Sequence, residues 1–138
     1  MFNSDILDVL GICLGAQLMC NSSEEGVLAG LGWIDAEVKK FPTILEDRRF
    51  TVPHMGWEIV NQIKQARILN LMPEFSRFYF VHSYYIHCNL HEDRLLSNQY
   101  SAPFDSAFER ENIIGVQFHP EKSHNFGRQL LRNFIELY

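Results

Sequence analysis

The 138-residue sequence has few cysteines, no excess of basic charge and no long apolar segment. Its three cysteines, Cys13, Cys20 and Cys88, are an odd number without regular spacing, which argues against a disulfide framework and favours a reducing compartment. The net charge of −5 provides no basic field for a phosphate backbone, so we expect no nucleic-acid partner. No segment approaches membrane-spanning length, and the N-terminus lacks the features of a signal peptide. We therefore expect a cytoplasmic protein without a membrane partner.

The hydrophobic content of 46% is enough for one core in a chain of this length, so residues 1–138 are predicted to form a single domain. Apolar periodicity predicts strands, a short helix or turn, and two longer helices. The strands are expected over 8–12, 33–41, 49–60, 77–88 and 113–118, the short helix or turn over 68–75, and the helices over 14–20 and near the C-terminus. The closing helix has one apolar face, formed by Phe126, Leu130, Leu131, Phe134 and Leu137. Strands mixed with helices predict an α/β sheet, with antiparallel pairs in its middle.

Cys13 lies between two glycines, at the end of a predicted strand and the start of a predicted helix. A sharp turn there lifts the side chain out of the sheet, and we expect Gly11 and Gly15 to relieve Cβ clashes in that turn. The N-terminus of the following helix is expected to favour the thiolate. This pattern indicates a nucleophile, although a buried structural thiol is the usual role of an isolated cysteine. Cys20 and Cys88 are predicted to be core residues.

His119 and Glu121 follow the predicted strand 113–118, and Pro120 disfavours helix for the residue before it. Side chains two apart on extended chain project to the same face. Glu121 can therefore orient the His119 imidazole, as the third member of a cysteine triad does.

Four segments together resemble the class I (triad-type) glutamine amidotransferases, and most of all the glutaminase subunit of imidazole glycerol phosphate synthase. They are Gly11–Gln17 (GICLGAQ), Val52–Trp57 (VPHMGW), Val81–Tyr85 (VHSYY) and Gly115–Ser123 (GVQFHPEKS). The resemblance implies an open, mostly parallel sheet flanked by helices, of the flavodoxin-like type.

Members of that family carry several strands, helices and an oxyanion loop before the nucleophile strand, whereas here only residues 1–10 precede the Gly11–Gly15 segment that holds the nucleophile. We therefore expect the domain to be incomplete at its N-terminus, as a gene fragment, a disrupted reading frame, or a subunit completed by another polypeptide. The nucleophile strand should then lie at an open sheet edge, and such edges promote association. The isolated chain is predicted to be poorly soluble or oligomeric.

The resemblance implies hydrolysis of L-glutamine to glutamate and ammonia, with Cys13 as nucleophile, His119 as acid and base, and Glu121 orienting His119. It also implies contacts to glutamine from the Leu14 backbone N–H as an oxyanion donor, and from Gln17, Glu25, Ser83 and Tyr84. Each of the last four also fits an ordinary structural role. No cofactor is expected, and the histidines lack metal-ligand spacing, so we expect no metal site.

The resemblance further implies a synthase partner that receives the ammonia, in a heterodimer. The docking segment would comprise Pro53, His54, Met55, Gly56 and Trp57, although Trp57 fits a core position equally well. A cyclase of histidine biosynthesis is the first candidate acceptor; a synthase that amidates a surface-polysaccharide sugar is another. A catalytically impaired remnant and a related thiol hydrolase, such as a γ-glutamyl hydrolase, remain alternative functions, and the segments after residue 50 argue against the hydrolase.

Overall fold

A computed structural model describes residues 6–138 as short strands with two α-helices. The strands are β1 Val9–Ile12, β2 Ser22–Ser23, β3 Ala36–Lys40, β4 Ile44–Leu45, β5 Arg48–Arg49, β6 His54–Ile59, β7 Asn61–Gln62, β8 Arg77–His82, β9 Tyr84–Cys88, β10 Arg94–Gln99, β11 Pro103–Arg110 and β12 Ile113–Val116. The α-helices are α1 Leu14–Leu18 and α2 His124–Leu137, and short 3-10 helices cover Arg67–Leu69, His91–Asp93 and Pro120–Lys122. None of the described helices combines the length and apolar character needed to cross a bilayer.

The main sheet is mixed, with strand order β1-β12-β11-β9-β3-β2 and with β10 and β7 branching from β11. The pairs β1/β12 and β2/β3 are parallel, and the other pairs of this sheet are antiparallel. The α/β class is confirmed. The expected parallel majority is not found among residues 6–138, because tight connections join most strands, and parallel neighbours need long crossovers.

The segment 77–88, predicted as one long strand, is two strands in two sheets. Before Ser83, β8 pairs with β6; after it, β9 pairs with β3 and β11. The Ser83 carbonyl at the break accepts a hydrogen bond from the Phe41 N–H. The residues buried on the two strands are nevertheless all even-numbered: Phe78, Phe80, His82, Ile86 and Cys88. Alternation alone therefore does not reveal the break.

Two clusters of buried side chains form the core. The larger lies between β8, β12 and α2, and is rich in phenylalanine; it includes Phe41, Phe78, Phe80, Phe104, Phe118 and Leu130. The smaller lies beneath α1 and contains Met19, Cys20, Val38, Ile86, Cys88 and Phe108. The prediction that Cys20 and Cys88 are core residues is confirmed, and burial raises the pKa of Cys20 to about 12.

Helix α2 packs its predicted apolar face on the larger cluster, through Phe126, Leu130 and Phe134. The same face also buries a polar residue that the apolar pattern did not predict. The Asn133 amide donates hydrogen bonds to the carbonyls of Ile68 (2.9 Å) and Asn70 (2.6 Å), and thereby ties α2 to the 3-10 turn around residue 68.

Gly127 on α2 allows the helix to lie directly against the chain that follows β12. A Cβ on Gly127 would be 1.8 Å from the Pro120 carbonyl oxygen, which is backbone and cannot rotate away. A Cβ on Gly15, in α1, would meet nothing within 4 Å.

Replacing Gly127 by alanine is therefore expected to lower the free energy of unfolding by about 1–3 kcal/mol, because the turn or the helix must move. Gly15→Ala is the matched control and should leave stability unchanged or raise it by up to about 1 kcal/mol, since alanine is the better helix former. Urea unfolding followed by circular dichroism measures both. Equal midpoints for Gly127→Ala and the parent chain would contradict the packing described.

The nucleophile strand lies at an edge of the sheet, as expected: among the described strands, β1 pairs only with β12. An exposed apolar surface lies between α1 and the loop that follows β2. Leu14 and Leu18 of α1 and Val27 and Leu28 of the following loop are all exposed and line one cavity. We call these four residues the α1 apolar surface.

Candidate active site

Cys13 occupies the tight turn between β1 and α1. Its N–H donates to the Val116 carbonyl at 2.8 Å, and its φ of 52° and ψ of −108° put a non-glycine residue in a region that costs about 1–3 kcal/mol. A Cβ on Gly11 would lie 2.9 Å from the Ala16 nitrogen, so Gly11 is what lets α1 pack this closely on β1. The expected relief of clashes therefore applies to Gly11 and not to Gly15. A strained strand-to-helix turn of this kind presents a nucleophile.

The partly exposed thiol of Cys13 has two polar neighbours: the Val81 carbonyl oxygen, 4.0 Å from Sγ, and Nε2 of Gln117, 3.6 Å from it. Burial raises the pKa of Cys13 above its ordinary value, while the Leu14 N–H and the Gln117 amide act to lower it. The Leu14 N–H at the start of α1 thus favours the thiolate, as expected of a helix N-terminus, but burial sets the net direction. Desolvation outweighs both donors, and α1 has only 5 residues.

His119 and Glu121 are in contact, with 2.9 Å between Nδ1 and Oε2. The His119 N–H donates to the Tyr79 carbonyl at 3.0 Å, which anchors the residue to β8. His119 is extended, but Glu121 lies in the 3-10 turn Pro120–Lys122 rather than on continuous extended chain. The carboxylate still reaches the imidazole because that turn folds back toward it.

Cys13 and His119 come to the same end of two neighbouring parallel strands. Ile12 is paired with Val116, and each candidate residue follows shortly after its strand. Among the described residues, no hydrogen bond joins Sγ to the His119 ring. The charges of Glu121 and Lys122 nevertheless act on the pKa of the Cys13 thiol, so the two halves of the site lie within electrostatic reach.

Leu14, Gln17 and Glu25 line one open cavity of about 460 Å³, which adjoins the site through Leu14 and does not include Cys13 in its lining. Glu25 is exposed, and its N–H donates to the Ser23 hydroxyl at 3.1 Å. Gln17, by contrast, is buried, and its amide nitrogen is already engaged by two acceptors within the protein. The cavity therefore has room for a small ligand, with Glu25 as the freer of the two polar side chains.

Ser83 and Tyr84 present main-chain groups that the protein itself uses. The Ser83 carbonyl accepts from the Phe41 N–H, and the Tyr84 carbonyl accepts from Gln17 Nε2 at 3.1 Å and from His82 Nδ1 at 2.9 Å. Their carbonyls thus hold the site together in this structure.

Gln117 is a site residue that sequence analysis missed. It is fully buried, it contacts the thiol, and its Oε1 accepts from Gln17 Nε2 at 2.9 Å. The available signal was a polar residue inside the apolar segment 113–118, next to the residues that carry the chemistry.

A buried histidine pair lies on the other side of Tyr84. His54 Nδ1 is 3.0 Å from His82 Nε2, and His54 Nε2 is 3.2 Å from Glu58 Oε1. Burial lowers the pKa of His82 to about 3, with His54 and His119 acting in the same direction. Because the Tyr84 carbonyl can only accept, the proton of neutral His82 is on Nδ1, and His82 Nε2 accepts from His54.

The segment Pro53–Trp57 divides between core and surface. His54 is buried, Pro53 and Gly56 are half-buried, and Met55 and Trp57 point outward from β6 with 61% and 41% of their surface exposed. Trp57 stacks on the His124 ring with a centroid separation of 5.5 Å, close to the start of α2. The core position considered for Trp57 is therefore wrong, because strand alternation directs this side chain outward.

No group of three or more His, Cys, Asp or Glu side chains within the described part of the chain is arranged to hold a metal ion.

A strained cysteine turn at the same sheet end as a hydrogen-bonded His–Glu pair, on a mixed α/β sheet, is the arrangement expected of a thiol-dependent active site. A family model for class I glutamine amidotransferases matches residues 3–137, and the chain belongs to this family. Among its relatives is imidazole glycerol phosphate synthase subunit HisH 2 of Methanococcus maripaludis, 49% identical over 93% of this chain and 62% of the relative. HisH 2 of Pseudomonas aeruginosa is 50% identical over 94% and 62%, and HisH of Bdellovibrio bacteriovorus is 42% identical over 99% and 67%. The chain thus spans roughly two thirds of the length of these relatives.

Solved structures agree on the fold. A putative GMP synthase subunit from Thermoplasma acidophilum superposes with a TM-score of 0.66 at 27% identity, over 93% of this chain and 55% of that one. A glutamine amidotransferase from Thermotoga maritima gives 0.57 at 21% identity, over 94% and 45%.

Proposed function

We propose that this chain forms a single glutamine amidotransferase domain that acts as a glutaminase subunit, hydrolysing L-glutamine to glutamate and ammonia. The observation that carries the proposal is the placement of Cys13 in a strained turn, at the same sheet end as the His119–Glu121 pair. The resemblance to HisH subunits supports imidazole glycerol phosphate synthase, and so histidine biosynthesis, as the destination of the ammonia.

In the proposed reaction, His119 takes the Cys13 proton, and Sγ attacks the γ-carboxamide carbon of glutamine. The imidazolium returns the proton to the departing ammonia. The neutral His119 imidazole then activates water, which cleaves the γ-glutamyl thioester and regenerates the thiol. Glu121 holds the imidazole through Nδ1, and no cofactor or metal enters any step.

Substrate binding is assigned to the cavity beside Cys13. The Leu14 N–H would donate to the oxyanion, and Glu25 would pair with the α-ammonium group of glutamine. Gln17, Ser83 and Tyr84 would shape the wall, since their polar groups are engaged within the protein.

The proposed partner is a cytoplasmic synthase subunit, bound as a heterodimer on the outer face of β6. Met55 and Trp57 offer the large exposed apolar side chains that anchor protein interfaces. Pro53, His54 and Gly56 would support this face from within the strand. The β6 face is near the candidate active site, because Trp57 stacks on His124, which follows His119 and Glu121 closely in sequence.

Glutamate release by the chain, measured with and without the cyclase subunit of an imidazole glycerol phosphate synthase, tests the proposal. We expect glutamate release that depends on the partner, since no hydrogen bond joins the Cys13 thiol to the His119 ring in the described part of the chain. Silence in both conditions would instead support the second candidate, a chain that retains the triad without turnover. The observation that favours this candidate is that, among the described residues, no hydrogen bond joins Sγ to the His119 ring.

A further inference from the structure

A continuous line of hydrogen bonds ends on the nucleophile. It begins at the Tyr84 carbonyl, passes through the side chain of Gln17 and then that of Gln117, and reaches Cys13 Sγ. Gln17 is 9% exposed and Gln117 is fully buried, so the bond between the two amides is shielded from water.

The direction of every bond in this line follows from its first member. A carbonyl oxygen only accepts, so the Gln17 group that faces Tyr84 is the amide nitrogen. The same nitrogen therefore also donates to Gln117, at 2.9 Å, and this turns the Gln117 oxygen toward Gln17. The Gln117 nitrogen is then left facing the sulfur at 3.6 Å. A flipped Gln117 amide would place two donors against each other at Gln17.

We propose that Gln117 is a positioning residue for the glutaminase reaction, its amide N–H held against Cys13 Sγ by Gln17 and Tyr84 so that the thiolate is stabilised and correctly aimed. The role of Gln117 in turnover rests on the proposed glutaminase function, whereas its contact with Cys13 does not depend on that function. A sulfur anion accepts a hydrogen bond more strongly than a thiol does, so this donor acts mainly on the reactive form. It opposes the desolvation that raises the pKa of Cys13.

The test is the pH dependence of Cys13 alkylation by iodoacetamide in the 138-residue chain, without glutamine or synthase. Cys20 and Cys88 are buried with raised pKa values, so Cys13 is the reactive thiol of the folded chain, and Cys13→Ala measures the background. Gln117→Met fills similar space without a donor, and Gln117→Glu keeps the shape while replacing the amide nitrogen with oxygen. Glu121 and Lys122, the charged groups that act on Cys13, are unchanged in all these variants. Gln117→Glu also adds a carboxylate beside Sγ, whose charge raises the midpoint by itself, so Gln117→Met is the variant that isolates the loss of the donor.

We expect both Gln117 variants to move the alkylation midpoint upward by about one pH unit, with alkylation near pH 7 slowed about tenfold. The matched control is Asn133→Asp, which changes another buried amide, on α2, and should leave the Cys13 midpoint unchanged. An unchanged midpoint in a folded Gln117 variant would overturn the proposal. Reaction of all three thiols in both variants would also overturn it, because Gln117 would then serve the fold. The alkylation midpoint does not depend on glutaminase activity. A chain without glutaminase activity would therefore contradict the proposed function without contradicting the effect of Gln117 on Cys13.

Discussion

Cys13→Ala is expected to abolish glutamate release in the presence of the synthase partner, lowering kcat/KM by at least about 10³-fold. Cys13 is the cysteine that stands in a strained turn beside an open cavity, whereas Cys20 and Cys88 pack in the core beneath α1. Without the sulfur no thioester forms, and the His119–Glu121 pair has no proton to take from a nucleophile.

The matched controls are Cys20→Ala and Cys88→Ala, with glutamate release measured under the same conditions. Each should lose some stability through a small core cavity and retain activity within a few-fold. Full activity of Cys13→Ala would show that Cys13 is not the nucleophile. Loss of activity in a folded Cys20→Ala or Cys88→Ala variant would show that the thiol chemistry has been assigned to the wrong residue.

The isolated chain is expected to self-associate, and the double substitution Val27→Glu and Leu28→Glu is expected to reverse this association. These two side chains of the α1 apolar surface are 101% and 85% exposed, in the loop that follows β2. Burying one such side chain against a second molecule contributes about 1.5–3 kcal/mol. The double substitution should therefore weaken association at least about a hundredfold.

Sedimentation velocity at micromolar concentration distinguishes a 16.1 kDa monomer from larger species. Ile135→Glu is the matched control: Ile135 is 77% exposed but lies on α2, in a different cavity lined by Glu121 and Lys122. It should leave the association unchanged. A parent chain that sediments as a single monomer would contradict the prediction.

The features that sequence analysis identified correctly are local. The turn around Cys13 follows from an apolar strand and a close-packed glycine at position 11. The His119–Glu121 contact follows from two residues separated only by a proline. In both cases few backbone angles lie between the residues concerned, so the chain has few ways to separate them.

Alternation along β6 and β8 likewise indicates which side chains point the same way, since the period of a strand is a local property. It does not indicate which face is covered. Trp57 is outward and His54 is buried only because β8 pairs with β6 and the phenylalanine cluster covers one face of that pair.

The features that sequence analysis did not predict depend on contacts between distant parts of the chain. The break at Ser83 arises because β8 and β9 pair with strands of different sheets. Even-numbered residues are buried on both strands, so the alternation of buried residues does not mark the break. The Gln117–Cys13 contact joins residues 104 apart in sequence, through an amide that Gln17 orients. The net pKa of Cys13 is raised because desolvation is set by everything packed around the sulfur, whereas the helix N-terminus that opposes it can be recognised from a few neighbouring residues.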